Sequence, residues 1–170
     1  MKYLLLFSCL FLGACGFTPL YGQQGHESFG NEALLEYVYI DSIPNREGQY
    51  LRNALIDRFY PHGRPVNPQY TLKITELDVR RTDLDITQTS STTREQMRLK
   101  ADLALVDKVT GETLLTRRLS STSSYNILES EFATRVSRQE AKENALLGLA
   151  SQIETQLALF FQRNEKQTSP

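Results

Sequence analysis

The residues that could carry covalent chemistry are few and poorly grouped. Asp83 and Asp85 are two positions apart in a strand-like stretch, which would place both carboxylates on one face of a strand. The surrounding residues, DLDITQTSSTT, are equally typical of a solvated hairpin. His26 and His62 are the only histidines, and both occur in loop-like contexts without a strong metal ligand at a suitable spacing. We therefore predict that the protein is not an enzyme and holds no metal or cofactor.

Basic side chains form a more suggestive group on three successive predicted strands. Cross-strand neighbours among them would form a cationic patch, and guanidinium groups bind phosphates through paired hydrogen bonds. The alternative is an ordinary solvated face that nearby acidic residues neutralise, and the sequence leaves both interpretations open. The basic residues are Arg80, Arg81, Arg94, Arg98, Lys100, Arg117 and Arg118, and the acidic ones are Asp78, Asp83, Glu95 and Asp102.

The N-terminus has the three parts of an export signal. Lys2 precedes an apolar run, and small residues in LGAC precede Cys15. LGAC has the form of a lipobox, so we predict that residues 1–14 are cleaved and that Cys15 carries the lipid. The alternative is an ordinary secretory signal with an incidental cysteine. The apolar run is shorter than the ~20 residues of a membrane span. Gly16 after the cysteine favours sorting to the periplasmic side of an outer membrane.

Composition limits the remaining possibilities. The 170-residue chain has two cysteines and a formal net charge of −1. Cys9 would leave with the signal and Cys15 would be consumed by lipid, so no disulfide is expected in the mature domain. The charge balance gives no indication of nucleic-acid binding. We predict a tether over residues 15–31, one domain over residues 32–163 and a polar tail over residues 164–170.

Hydrophobic periodicity predicts the elements of that domain. The run Leu34–Ile43 is apolar on both parities, which favours a strand covered on both faces. A helix follows Pro44-Asn45, with Leu51, Ala54, Leu55 and Phe59 on its apolar face. A strand begins at Tyr70, and its parity changes near Thr75 and Glu76, which predicts a bulge.

The second half predicts a hairpin and a long helix. Met97 to Leu105 alternate in polarity, DKVTGE reverses the chain, and TLLTRRLSSTSSY returns antiparallel. Ser130 and Ser137 compete as helix starts, and we favour a regular helix from Ser137 with a turn or short helix before it. Its apolar stripe is Leu146, Ala150, Ile153, Leu157 and Phe160. The result is an α+β two-layer sandwich, with two helices packed on a four-stranded mixed sheet in the order β-α-β-β-β-α.

Several stretches resemble the LPS-assembly lipoprotein family LptE, in its alphaproteobacterial form. They are CGFTPLYG, EYVYIDSIPNREGQYLRNAL, SSYN followed by EFAT, and ALLGLASQIETQLALFF, which together cover nearly the whole chain. The resemblance implies an outer-membrane lipoprotein that sits inside the LptD β-barrel, plugs it, assists its assembly and contacts lipopolysaccharide on its way to the cell surface.

The resemblance also turns the basic group into candidate lipopolysaccharide-binding residues, chosen by chemistry alone: Arg80, Arg81, Arg94, Arg98 and Lys100. Phe17, Leu20 and Tyr21 are too apolar for a solvated linker, so we expect them to contact the barrel or the membrane. The expected partners are an LptD-like barrel, lipopolysaccharide and, through the anchor, the inner leaflet of the outer membrane. The rival interpretations are a lipoprotein subunit of another envelope lipid transporter with a non-barrel partner, and a lipid-anchored periplasmic enzyme.

Overall fold

The computed structural model describes residues 34–86 and 92–168. Their elements follow the order β-α-β-β-β-α, and the predicted α+β two-layer architecture is confirmed. The elements are β1 (Val38–Ile40), α1 (Asn45–Phe59), β2 (Tyr70–Ile86), β3 (Thr92–Asp107), β4 (Thr113–Asn126) and α2 (Glu131–Thr168).

The sheet is mixed, with spatial order β1-β2-β3-β4. β1 runs parallel to β2, and the two remaining pairs are antiparallel. The predicted strand Leu34–Ile43 is too long, because only Val38–Ile40 pairs with β2. The prediction that both faces of this strand are covered is also wrong. Val38 and Ile40 are buried, whereas Tyr39 points to the opposite face of the sheet and is exposed. Alternate residues of β1 therefore face the protein core and the solvent.

The predicted irregularity in β2 is confirmed by a register shift between Ile74 and Glu76. Before the shift, Leu72 and Ile74 pair with Leu105 and Leu103 of β3. After it, Leu77 and Val79 pair with Ala101 and Leu99. Residues that face each other across a ladder project to the same side, so the extra residue keeps all four apolar side chains of β2 on one face.

α1 begins directly after Pro44, whose extended backbone suits the position before a helix. The predicted apolar face is confirmed, since Leu51, Ala54, Leu55 and Phe59 are all buried. α1 runs beside α2 in the same direction. Lys142 Nζ lies 2.8 Å from Glu47 Oε1 near the start of α1, and Arg58 Nη1 lies 2.9 Å from Glu154 Oε2 near its end.

α2 is one continuous helix from Glu131, so the prediction of a regular helix only from Ser137 is wrong. The competing signal at Ser130 prevails: its Oγ caps the helix by accepting a hydrogen bond from Ala133 N at 3.4 Å, and its carbonyl accepts the first helical bond from Thr134 N at 3.0 Å. Thr134 Oγ1 in turn bonds both backbone groups of Leu128, which fixes the turn before the helix. At the other end, Phe161 rather than Phe160 completes the buried stripe.

Both helices cover the same face of the sheet, which we call the helix side. It carries the buried apolar residues of β3, from Met97 to Leu105. The other face, the open face, carries the residues between them. We call the end of the domain where β2 begins and β3 ends the base. The opposite end, where β4 ends and α2 begins, is the tip.

Candidate functional site

The open face collects most of the predicted basic residues. Strand alternation puts Arg94, Arg98 and Lys100 on one side of β3, and all three are exposed. Arg80 of β2 lies directly opposite Arg98 in the ladder, so it projects to the same side. Four of the five candidates therefore share one surface on adjacent strands.

Arg81 is the exception. It pairs with Met97 and therefore projects to the helix side, where its Nε lies 3.5 Å from Glu95 Oε2. β2 continues through Arg80 and Arg81 to Ile86, and neighbouring residues of a continuing strand point to opposite faces. Arg81 is thus separated from the other candidates by the thickness of the sheet.

Near the middle of the open face the charges are paired. Arg118 of β4 forms a bidentate salt bridge with Asp102 of β3, in which both N–O distances are 2.6 Å. These hydrogen bonds lower the pKa of the Asp102 carboxyl and raise that of Arg118. Glu76 lies opposite Asp102 in the ladder and adds to the field that holds Arg118 charged.

Toward the tip the positive charges outnumber their partners. Asp78 lies opposite Lys100 in the ladder, but its carboxylate accepts a 2.6 Å hydrogen bond from Arg80. Among the side chains that the structure describes, no carboxylate oxygen lies within 4.0 Å of the cationic groups of Arg94, Arg98 or Lys100. Nearer the middle of the face, a depression of about 190 Å³ is lined by three basic and three acidic side chains: Arg80, Lys100, Arg118, Glu76, Asp78 and Asp102.

The possible carboxylate pair does not follow simple alternation. Asp83 pairs with Glu95 and Asp85 with Arg94, and the register shifts between them. Their backbones thus lie opposite adjacent residues of β3, which belong to different faces. Residues 87–91 of the hairpin lie outside the described part of the chain.

A buried polar cluster on the helix side was not predicted. Glu95 is only 7% exposed and accepts a hydrogen bond from the hydroxyl of Tyr125. Arg138 of α2 donates to the same hydroxyl at 2.8 Å, and its guanidinium lies 5.8 Å from the centre of the Tyr125 ring. Burial and the Glu95 contact raise the pKa of Tyr125. The sequence did contain a signal for this burial. Glu95 is an even number of residues from Met97 and Leu99, so its side chain projects to the same face of β3.

The candidate contact residues Phe17, Leu20 and Tyr21, and the lipidation residue Cys15, lie outside the described residues. Within residues 34–86 and 92–168 no helix has the length and apolar character needed to cross a bilayer. The same residues contain no cluster of three or more histidine, cysteine or acidic side chains arranged for a metal.

Comparison with known proteins identifies the family of this domain. The family model LptE, described as lipopolysaccharide-assembly, matches residues 35–158. The chain belongs to the LptE family. LptE proteins are non-enzymatic lipoproteins of the cell envelope that act in lipopolysaccharide assembly, and the predicted resemblance is therefore confirmed.

Individual relatives are distant. An uncharacterized protein of Rickettsia prowazekii is 25% identical over 159 residues, which are 94% of this chain and 96% of that protein. A candidate lipoprotein of Caulobacter crescentus has a TM-score of 0.64 at 22% identity, covering 79% of this chain and 98% of its own. Rare lipoprotein B of Shewanella oneidensis has a TM-score of 0.59 at 11% identity, covering 75% and 96%. These two structures share the fold of this LptE domain.

Proposed function

We propose that this LptE protein is lipidated at Cys15, is held on the periplasmic side of the outer membrane, and plugs an LptD-like β-barrel that it helps to assemble. In this role it contributes to inserting lipopolysaccharide at the cell surface. The observation that carries the proposal is the open face, a cationic surface on paired strands that neither helix covers.

The arrangement of charge on that face suits a multiply phosphorylated ligand. Arg80 and Arg98 are cross-strand neighbours, with Cα atoms about 5 Å apart in an antiparallel ladder. Like charges at that separation repel each other, and Asp78 can neutralise only one of them. A phosphate group between them would relieve the repulsion and accept hydrogen bonds from both guanidinium groups. Lys100, one alternation further along β3, extends the surface to a second phosphate.

The open face also suits the lumen of a barrel. Most of its residues on β2, β3 and β4 are charged or hydroxyl-bearing, and these strands contain between 14 and 17 residues each. The interior wall of an outer-membrane barrel is polar and wetted, unlike its lipid-facing exterior. A long polar sheet face can therefore lie against that wall without burying unpaired charge in an apolar environment.

The binding test reverses three charges without touching the core. The variant Arg94→Glu, Arg98→Glu, Lys100→Glu should bind purified lipopolysaccharide at least about tenfold more weakly, since losing one charge-assisted hydrogen bond costs about 1.5–3 kcal/mol. The matched control reverses three exposed charges elsewhere: Arg117→Glu, Arg135→Glu and Arg163→Glu. Equal binding by the two folded triple variants would contradict a role for the open face.

The partner and the anchor have separate tests. The wild-type protein, extracted in mild detergent, should bring a large outer-membrane β-barrel with it. Copurification with a different envelope transporter would instead support the rival interpretation.

Labelled palmitate should enter the wild-type protein and not the Cys15→Ser variant. If that variant still takes up the label, Cys15 is not the lipid site.

A further inference from the structure

The long outer edge of β2 is protected against pairing with another chain. β1 pairs only with residues 70–72 of β2, so no described strand covers the rest of this edge. More than half of residues 73–85 are charged, and the register with β3 shifts near Ile74 and again near Asp83. Charged side chains and bulges are the usual means by which proteins keep an exposed edge from accepting a further strand.

The tip half of β4, at the opposite edge of the sheet, has neither form of protection. Residues 119–126, LSSTSSYN, contain no charged residue and no proline. The β3–β4 register is regular from the Leu105–Leu115 pair to the Arg94–Asn126 pair. A regular, uncharged strand at the edge of a sheet is a template on which another strand can pair.

In the base half of β4, side chains of the domain occupy the edge carbonyls. Arg117 Nη1 donates to Thr116 O at 2.8 Å, and Gln152 Nε2 of α2 donates to Ser120 O at 3.2 Å. In an antiparallel pair, the N–H and C=O groups of alternate residues point away from the partner strand. Both acceptors are even-numbered, so the even-numbered residues of β4 direct their backbone groups to the outer edge.

Toward the tip this edge has no such partners. Thr122, Ser124 and Asn126 follow the same alternation, and no group within residues 34–86 and 92–168 hydrogen-bonds their outward N–H and C=O groups. A strand laid along these three residues would satisfy those donors and acceptors. Main-chain hydrogen bonds of this kind supply the affinity when a peptide adds to the edge of a sheet.

A cavity of about 310 Å³ lies beside the uncovered edge. Its lining residues belong to β4, α2 and the loop between them, and they include Ser123, Ser137 and Glu140. Glu140 is exposed, and in the described part of the chain no cationic group lies within 4.0 Å of its carboxylate. Alternate residues of an added strand would project to the helix side. One of them would enter this cavity, where Glu140 favours a lysine or an arginine.

We infer that the tip half of β4 pairs with an extended loop of the barrel partner, which places a lysine or arginine beside Glu140. This inference rests on the proposed function. The strands of a closed barrel are already paired on both sides, so the added strand must come from one of the longer loops at its rim. Since an added strand extends the sheet sideways, the cationic open face stays uncovered.

A second copy of this chain fits the edge less well than a barrel loop does. In a two-fold pairing of two tip halves, the residues that face Glu140 would come from the same stretch, LSSTSSYN, of the other copy. That stretch contains no cation. The unpaired carboxylate therefore favours a different polypeptide as the occupant.

Hydrogen exchange can locate the added strand. Full-length lipidated protein is measured alone and in the complex that it forms with the barrel in mild detergent. The amides of Thr122, Ser124 and Asn126 should exchange at least about tenfold more slowly in the complex, because each acquires a hydrogen-bond acceptor. The outward amides of Thr116 and Arg118 are the internal control and should keep their exchange rates.

Substitutions test the same contact by a second measurement. Ser124→Pro removes an outward N–H but no bond of the β3–β4 ladder, and it should make the purified complex dissociate at least about fivefold faster. Glu140→Lys should accelerate dissociation by about tenfold, because it brings two cations together. The matched controls are Thr116→Pro, in the base half of the same edge, and Glu112→Lys, in the β3–β4 turn. Both should leave the dissociation rate unchanged.

The outcomes separate this inference from the proposed function. If the barrel copurifies but the amides of residues 122, 124 and 126 stay unprotected, the inference is wrong and the proposed function stands. Concentration-dependent protection of these amides in the protein alone would show that a second copy pairs there, which would also overturn the inference. A wild-type protein that brings no barrel with it would refute the proposed function and the inference together.

Discussion

Replacing Gly148 by alanine tests how closely α2 approaches β4. A Cβ atom built on Gly148 would lie 2.6 Å from Ser121 Oγ and 3.7 Å from Ser121 Cβ. The first distance is far inside van der Waals contact, whereas the second is ordinary contact. Ser121 is itself buried, so its hydroxyl has little space to move away. The close packing of helix on sheet at this point therefore depends on the absence of one methyl group.

Two opposing effects set the magnitude. Alanine is a better helix former than glycine by about 1 kcal/mol. Adding a methyl group to a tightly packed site costs about 1–3 kcal/mol. Gly148→Ala should therefore lower the free energy of unfolding by up to about 2 kcal/mol. In a Ser121→Ala background only the 3.7 Å contact remains, and the same substitution should raise that free energy by about 1 kcal/mol.

Urea unfolding of full-length Cys15→Ser protein, which avoids the lipid, can measure the complete double-mutant cycle. The expected coupling energy between positions 121 and 148 is about 1–3 kcal/mol, because Ser121→Ala removes the atom that clashes. If Gly148→Ala destabilises the protein equally with serine or alanine at position 121, the clash with the hydroxyl is not the reason for glycine.

Two further predictions concern polar contacts. A hydrogen bond from Lys142 lowers the pKa of Glu47, so its stabilising effect is fully present above the ordinary value of 4.5 and is lost as the pH falls through the lower folded value. Glu47→Gln should thus cost about 0.5–1 kcal/mol at pH 7 and almost nothing well below pH 4.5; a pH-independent cost would contradict this. Tyr125→Phe removes a donor to buried Glu95 and an acceptor for Arg138, and should cost about 1–3 kcal/mol in urea unfolding. Unchanged stability would mean that Arg81 and Arg138, whose nitrogens lie 3.5 and 3.9 Å from Glu95 Oε2, satisfy the carboxylate without the tyrosine.

Most of the fold was predictable because the hydrophobic periodicity of each segment matches the pattern of buried residues in the structure. The alternation from Met97 to Leu105 identified the central strand, and the parity change near Glu76 identified the bulge. The errors fall where local patterns were ambiguous. The run from Leu34 to Ile43 has the composition of a long strand, but three residues suffice to pair with the start of β2. The start of α2 depended on whether the turn bonds of Thr134 would form, which the sequence could not show.

The placement of the candidate residues was only partly predictable. Strand alternation correctly grouped Arg98 and Lys100, because they lie on a regular strand. It could not show that Arg80 would lie opposite Arg98, since register between strands is set by the bulge and the turns. It also failed to show that Glu95 would be buried: a charged residue at an apolar position was interpreted as a neutralising surface group, although its parity pointed inward.

The separation of the two faces determines which substitutions can test function without disturbing the fold. The buried apolar residues of β3 all project to the helix side, so charge reversal at Arg98 or Lys100 changes neither packing nor a buried polar group. Arg81 differs, although it resembles them in sequence. Glutamate at position 81 would remove the cation beside buried Glu95 and place a second carboxylate there, and the two like charges would repel each other. Loss of lipopolysaccharide binding in an Arg81 variant could then reflect misfolding, so Arg81 should be left out of any binding test on the open face.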